Sequence, residues 1–169
     1  MYNIDFFEQF SIPFSWSTLL AGLRLKFLAI EQVDDYAVKY ISENPEMESE
    51  FLLELAWEKK NYEEVFRLIE NFLIENGITN DPNIEEQKWR FCILQNIRNE
   101  TRDHNLLFEK IAEVYSTFNY PEDMEELIYY NEPKDGYNVL LHTKEENINR
   151  LLFKIDTFLT SEKKKLSFC

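Results

Sequence analysis

Apolar residues recur at helical spacing along nearly the whole chain. Positions i, i+3, i+4 and i+7 lie on one face of an α-helix, so this spacing is typical of amphipathic helices that pack on a core. Two stripes repeat the spacing offset by offset: Tyr62, Val65, Phe66, Ile69, Phe72 and Leu73, and then Ile148, Leu151, Leu152, Ile155, Phe158 and Leu159. The pattern predicts an all-α fold.

Capping and breaking residues divide this pattern into about eight helices. Ser15 is a candidate N-cap, Asn76-Gly77 a stop, Asp81-Pro82 a start, and Thr143 with Glu146 a capping box. After a short helix near 2–10, the predicted helices are 16–29, 31–42, 46–60, 62–76, 82–99, 103–118, 121–130 and 143–160. Residues 137–142 are the only candidate strand.

Short connections between neighbouring helices predict antiparallel helical hairpins. The clearest pairs are 46–60 with 62–76 and 82–99 with 103–118, which indicate a bundle or a short solenoid-like stack. With 169 residues, the chain is expected to form a single helical domain, 1–169, with 162–169 as a mobile tail. The side chains expected in its core include Trp16, Trp57, Phe66, Trp89, Ile111 and Phe118.

Charge narrows the classes of partner. The formal net charge of −14 argues against binding to nucleic acid or to an anionic membrane surface, because both need clustered Lys and Arg. No apolar run is long enough to span a membrane, and the first residues do not resemble a signal peptide. Two distant cysteines, Cys92 and Cys169, suit a reducing compartment. We therefore expect a cytoplasmic protein.

Motifs that carry chemistry are absent from the sequence. It contains none of GxSxG, GxGxxG, GxxxxGK[ST] and HExxH, and its carboxylates are too numerous for any pair to indicate acid–base catalysis. The two histidines, His104 and His142, lack further ligands nearby in the sequence and are expected not to bind a metal. We accordingly predict no cofactor and no catalytic residue.

Tyrosine and carboxylate residues concentrate after Pro121. Tyrosine beside charged groups is typical of a protein-binding surface, and acids also stabilise a helix N-terminus. The predicted binding residues are Tyr120, Glu122, Asp123, Glu125, Glu126, Tyr129, Tyr130 and Tyr137, with Glu63 and Glu70 as a weaker second patch.

Two segments resemble a known bacterial family, DUF2247. The first runs from Phe14-Ser15-Trp16 to Gly22-Leu23 and is followed by Tyr36-Ala37; the second runs from Ile111 to Asp123 and contains Phe118-Asn119-Tyr120-Pro121-Glu122. Trp89, Tyr129-Tyr130 and Pro133 also fit, while His104-Asn105-Leu106 stands where the family has Asp-Pro-Leu. The resemblance implies a small cytosolic bacterial protein with no established catalytic residues, and an association with immunity proteins of toxin systems.

Three functions are compatible with these features. The first is a non-catalytic acidic protein-binding module, most specifically an immunity-type protein that binds and neutralises a cognate toxin, with a basic toxin domain as the candidate partner. The second is a helical adaptor or scaffold that binds a peptide or helix in a groove. The third is an enzyme that uses dispersed carboxylates.

Overall fold

The computed structural model describes residues 1–46, 49–57 and 61–167. Within them the chain is all-α and contains no strand, which confirms the predicted fold class. The α-helices are α1 (Asp5–Phe10), α2 (Trp16–Arg24), α3 (Ile30–Glu43), α4 (Glu50–Trp57), α5 (Tyr62–Glu75), α6 (Pro82–Glu100), α7 (His104–Thr117) and α8 (Lys144–Leu166). Two 3₁₀ helices, Glu122–Leu127 and Val139–Leu141, connect α7 to α8. Of the predicted helix 46–60, residues 47–48 and 58–60 lie outside the described residues.

Local capping chemistry sets the helix ends that the sequence predicted. Ser15 forms a capping box with Thr18, and Thr143 forms another with Glu146. Gly77 follows α5 with a φ of 62°, in the left-handed region that glycine adopts most readily. One end differs: α2 stops at Arg24 rather than near residue 29, because Lys26 takes a left-handed φ of 58° and turns the chain away.

Two segments adopt a tighter helix than predicted. Residues 122–127 form a 3₁₀ helix after Pro121, where an α-helix over 121–130 was expected. The candidate strand at 137–142 is wrong, because residues 139–141 form a 3₁₀ turn. The Asn138 side chain accepts a hydrogen bond from the Leu140 N–H at 3.0 Å, and this local bond favours a turn over an extended strand.

The chain divides into two compact units, one ending at Trp89 and the other beginning at Arg90. The single domain expected from length therefore stays a prediction. In the first unit, α3 packs on α4, α4 on α5, and α2 on α5, so the predicted α4–α5 hairpin is present. In the second unit, the first 3₁₀ helix packs on α8.

A buried tryptophan organises the first unit. The Trp89 side chain is fully buried, and its indole N–H donates to the Thr18 carbonyl oxygen at 2.8 Å. The indole meets Phe7 edge-on, with ring centroids 4.8 Å apart. Gly22 lies directly against it: a Cβ at Gly22 would sit 2.3 Å from Cζ2 of the indole. Only glycine allows α2 and the Trp89 ring to approach this closely.

Buried polar groups link α2 to the first turns of α6. The Thr18 hydroxyl donates to Oε2 of Glu85 at 2.5 Å, and the Lys88 ammonium donates to Oε1 of the same carboxylate at 3.0 Å. All three residues are buried, and the Thr18 hydroxyl also accepts from the Ser15 N–H at 3.0 Å. The α2 capping box and a buried ion pair thus share one hydroxyl.

Burial agrees with most of the predicted core. Trp16, Trp89 and Ile111 are buried, whereas Phe66 and Phe118 are half-buried. The prediction for Trp57 is wrong, because its side chain is 72% exposed. The reason is helical phase: Leu52 and Leu55 occupy the buried face of α4, and Trp57 shares the outer face with exposed Leu53.

The C-terminal residues also differ from expectation. α8 continues to Leu166, and both Glu162 and Leu166 are buried. Residues 162–166 are therefore the end of a packed helix rather than part of a mobile tail, since an apolar leucine and an ion-paired glutamate hold that last turn. The rest of the predicted tail, Phe168 and Cys169, lies outside the described residues.

The contact between Gly22 and Trp89 predicts a strong coupling. Gly22→Ala should lower the free energy of unfolding by about 1–3 kcal/mol, the usual cost of overpacking a core. In a Trp89→Leu background the same change should cost much less, because the clashing ring is absent. Urea denaturation of the four proteins in this double-mutant cycle measures the coupling, and equal costs in both backgrounds would contradict it.

The buried Glu85 carboxylate predicts a difference between neighbouring glutamates. Glu85→Gln leaves the Lys88 ammonium buried without its counter-charge and should cost about 3 kcal/mol or more. Glu86→Gln changes an exposed glutamate on the same helix and should cost less than about 0.5 kcal/mol. Urea denaturation of both variants compares them, and similar unfolding midpoints would show that the buried pair contributes little.

Candidate functional site

The tyrosine-rich segment after α7 lies on the surface of the second unit. Met124, Leu127 and Ile128 are buried and anchor the first 3₁₀ helix. Tyr120 is 60% exposed, Tyr129 54% and Tyr130 58%. A tyrosine ring that is half in solvent presents both an apolar face and a hydroxyl, the combination that protein interfaces favour.

Most acids of this segment form ion pairs instead of a free acidic patch. Asp123 accepts two hydrogen bonds from Arg90, at 2.8 and 2.5 Å. Glu126 pairs with Lys154 at 2.6 Å, and Glu125 pairs with Lys134. Among the described residues, Glu122 is the member of the four that has no ion pair. Most of the predicted acidic surface is therefore neutralised within the unit.

Arg90 is the buried cation at the base of this surface. Its side chain is 5% exposed, and besides Asp123 it reaches the buried Glu162 of α8 at 3.4 Å. Its guanidinium lies 5.6 Å from the centre of the Phe158 ring. A bidentate arginine–carboxylate pair has a defined geometry, so Arg90 orients the 3₁₀ helix relative to α6 and α8.

A second set of contacts holds the 131–143 loop against α8. Asp135 accepts from Arg150 at 2.7 Å and pairs with Lys154 at 3.0 Å. These two cations hold the pKa of the Asp135 carboxyl well below its usual value. The Arg150 guanidinium also lies 4.2 Å from the centre of the Tyr137 ring, which stacks on His142 at 4.4 Å.

The side-chain amide of Asn147 on α8 also holds the loop. The Tyr137 hydroxyl donates to Oδ1 of Asn147 at 2.8 Å, and the Asn147 amide donates to the Val139 carbonyl at 3.0 Å. One α8 side chain therefore connects both ends of residues 137–139. The loop is built from charge pairs, ring stacking and hydrogen bonds rather than from buried apolar area.

A cleft of about 350 Å³ opens between this loop, the first 3₁₀ helix and α8. Its apolar lining comes from α7, α8 and the end of the 3₁₀ helix: Phe108, Ile128, Ile148 and Leu151. Its charged lining consists of Glu125, Glu126, Glu132, Lys144, Arg150 and Lys154. Mostly apolar clefts with a few placed polar groups are the usual form of a binding site.

The structure brings part of the predicted site together. Glu125, Glu126, Tyr129 and Tyr137 line the cleft. The remaining members of that segment, Tyr120, Glu122, Asp123 and Tyr130, lie in the same unit but outside the cleft lining.

The second predicted patch belongs to the other unit. Glu63 is exposed in the first turn of α5, where a carboxylate also stabilises the helix N-terminus. Glu70 pairs with Arg24 of α2 at 2.6 Å. The structure therefore leaves Glu63 as the free carboxylate of that patch among the described residues.

Sequence reasoning missed the most exposed apolar residues of this region. Leu140 is 88% exposed and Leu141 79% exposed, and Val139 beside them lines the cleft. The run Val139-Leu140-Leu141 between a turn and a capping box was a detectable signal. The run predicts a strand as readily as a turn, because a short apolar run has no period that separates the two.

The two histidines, His104 and His142, and the thiol of Cys92 are not part of the cleft lining. His104 is an exposed first residue of α7, and no three His, Cys, Asp or Glu side chains in the described part of the chain could jointly hold a metal ion. Burial raises the pKa of the Cys92 thiol to about 12, so this thiol stays protonated at neutral pH. No described helix is long and apolar enough to cross a membrane.

These features define an all-helical protein with a cleft bordered by exposed tyrosines. The chain belongs to the DUF2247 family, whose model, described as an uncharacterized protein conserved in bacteria, matches residues 4–163. The match confirms the resemblance seen in the two sequence segments. Comparison with curated proteins and with solved structures gives no match.

The depressed pKa of Asp135 predicts a pH-dependent stability difference. A carboxyl whose pKa is lower in the folded chain contributes stability above its ordinary pKa near 3.8 and loses it as pH falls toward the folded value. Asp135→Asn should therefore be less stable than wild type at pH 7, and this difference should begin to shrink only as pH falls below about 4.

Urea midpoints at a series of pH values measure this difference. Glu132→Gln is the matched control, because Glu132 is an exposed acid of the same loop without an ion pair among the described residues. It should follow wild type throughout. A pH-independent gap for Asp135→Asn would show that its ion pairs are not the source of the effect.

Proposed function

We propose that the protein is a non-catalytic acidic protein-binding module, and most specifically an immunity-type protein that binds and neutralises a cognate bacterial toxin. The observation that carries the proposal is the tyrosine-bordered cleft of the second unit, whose walls are held by internal ion pairs. The proposal places the protein in the cytoplasm.

Rigidity of the cleft walls supports binding as its role. Arg150, Lys154 and Asn147 hold the 131–143 loop through contacts that exist before any partner arrives. A surface that is already ordered loses less conformational entropy on association, and tight inhibitors depend on this. Tyr129 and Tyr130 stand exposed at its border, with ring centroids 5.1 Å apart.

Charge supports a basic partner at long range. The net charge of −14 would accelerate encounter with a basic toxin domain, whatever the local pairing of individual acids. Because Asp123, Glu125 and Glu126 are paired internally, steering in this proposal comes from the summed field of the whole chain. In the bound complex, the direct contacts with the partner would then come mainly from tyrosines rather than from acids.

The adaptor function remains the second candidate, since a cleft of about 350 Å³ also suits a peptide segment. The two functions differ in one observable. An immunity-type protein abolishes the toxicity of its partner, while an adaptor binds a partner that is not toxic. An enzyme using dispersed carboxylates would instead turn over a substrate.

Co-expression tests the immunity proposal. The gene directly upstream of this one is induced in a heterologous bacterium with and without the present chain, and growth is followed. We expect the upstream product to arrest growth alone and the chain to restore it. Restoration should fail with the double variant Tyr129→Ala plus Tyr130→Ala, because loss of a central aromatic contact commonly costs about 2 kcal/mol, or about thirtyfold in affinity.

Tyr62→Ala serves as the matched control. Tyr62 is 40% exposed but lies on α5 of the other unit, so its loss should leave growth restoration intact. Folding of each variant is checked by circular dichroism. An upstream product without toxicity, or growth restoration that survives the double variant, would count against this function or this surface.

A further inference from the structure

We infer that the cleft of the second unit takes a large apolar side chain, such as leucine, phenylalanine or methionine, presented on an extended segment of a protein partner. This inference rests on the proposed binding function and names the chemistry that its site recognises. It departs from the expectation that a basic group would dock on the acids of this segment.

The state of the charges around the cleft favours an uncharged occupant. Glu126 pairs with Lys154 at 2.6 Å, Glu125 pairs with Lys134, and Arg150 pairs with Asp135 at 2.7 Å. A lysine or arginine that approached Glu125 or Glu126 would have to displace Lys134 or Lys154, and a carboxylate that approached Arg150 would have to displace Asp135. Displacement returns little free energy, because the pair that is lost resembles the pair that is gained.

The apolar lining of the cleft can stabilise a bound apolar side chain by burying it. Phe108, Ile128, Ile148 and Leu151 form a floor without polar side-chain atoms. A cleft of about 350 Å³ has room for one large apolar side chain and part of its backbone. Burying such a side chain strengthens binding by roughly tenfold to a hundredfold, enough to act as the anchor of an interface.

The apolar surface continues beyond the floor. Val139 lines the cleft, and Leu140 and Leu141 follow it on the same 3₁₀ turn with 88% and 79% of their surface exposed. Hydrogen bonds from Asn147 to the Val139 carbonyl and from the Leu140 N–H to Asn138 hold this turn. A rigid apolar ridge beside a cleft fits an extended segment better than a single small molecule.

Two unpaired charges indicate how that segment lies. Glu132 and Lys144 both line the cleft, are exposed, and have no ion pair among the described residues. Their signs are opposite. A complementary segment therefore carries a basic residue that pairs with Glu132 and an acidic residue that pairs with Lys144, with its apolar anchor between them. The net charge of −14 makes an anionic membrane an unfavourable alternative for the exposed leucines.

Selection from a display library of random peptides, about twelve residues long, tests this inference on the purified full chain. We expect enriched peptides to share a central large apolar residue. Replacing that residue by alanine should weaken binding by roughly tenfold or more, whereas replacing a lysine or arginine should weaken it by less than about threefold. Binding should also change by less than about threefold between about 50 and about 300 mM NaCl.

Variants of the chain locate the bound peptide. Ile148→Glu in the floor and Val139→Glu on the exposed wall should each weaken peptide binding by roughly tenfold or more. Phe153→Glu is the matched control, because Phe153 is 71% exposed on α8 and is not part of the cleft lining. It should bind like wild type. Using two cleft variants keeps the test valid if one of them misfolds.

Several outcomes would overturn the inference: no enriched peptide, peptides whose binding depends on basic residues, or binding unaffected by both cleft variants. A wild-type chain that dimerises in sedimentation equilibrium and becomes monomeric in Leu140→Ser would also do so, since the occupant would then be a second copy. Peptide binding needs no toxin, so failure here is separable from failure of growth restoration.

Discussion

Pairing of a few cations with an excess of acids is the constraint on which the second unit depends. The chain has 32 acids and only 18 lysines and arginines, so a single cation often has to pair with more than one acid. Arg90 joins Asp123 to Glu162, and Lys154 joins Glu126 to Asp135. These bridges connect the segment after Pro121 to α8, and the cleft exists because they hold its walls in place.

The first unit uses a different solution. There the organising contact is steric, between the Trp89 ring and Gly22, and its polar groups are buried with their partners Thr18 and Lys88 around Glu85. Buried contacts of this kind specify one arrangement of helices. Apart from the buried pair of Arg90 with Glu162, the ion pairs of the second unit have partly exposed carboxylates, so each is individually weaker and they act as a network. The two units are therefore held together by different interactions.

Sequence reasoning succeeded where structure depends on neighbouring residues. The capping boxes at Ser15 and Thr143 and the helical stripes of α5 and α8 are local patterns, and each is present. It failed where distant residues decide. Nothing in the run Glu122 to Glu126 shows that Arg90 or Lys154 will pair with it. The error at Trp57 has a different cause, because the helical phase of α4 places Trp57 away from the buried Leu52 and Leu55. Only part of the candidate site could thus be predicted.

Hydrogen–deuterium exchange of the backbone amides tests most directly whether cations of α8 hold the cleft wall. The comparison is wild type against the double variant Arg150→Met plus Lys154→Met, at neutral pH. The account predicts faster exchange at Tyr137, Leu140 and Leu141, whose N–H groups are hydrogen-bonded in the held loop, and unchanged exchange in α5. Unchanged protection of that loop would contradict the account, because its order would then not depend on ion pairing.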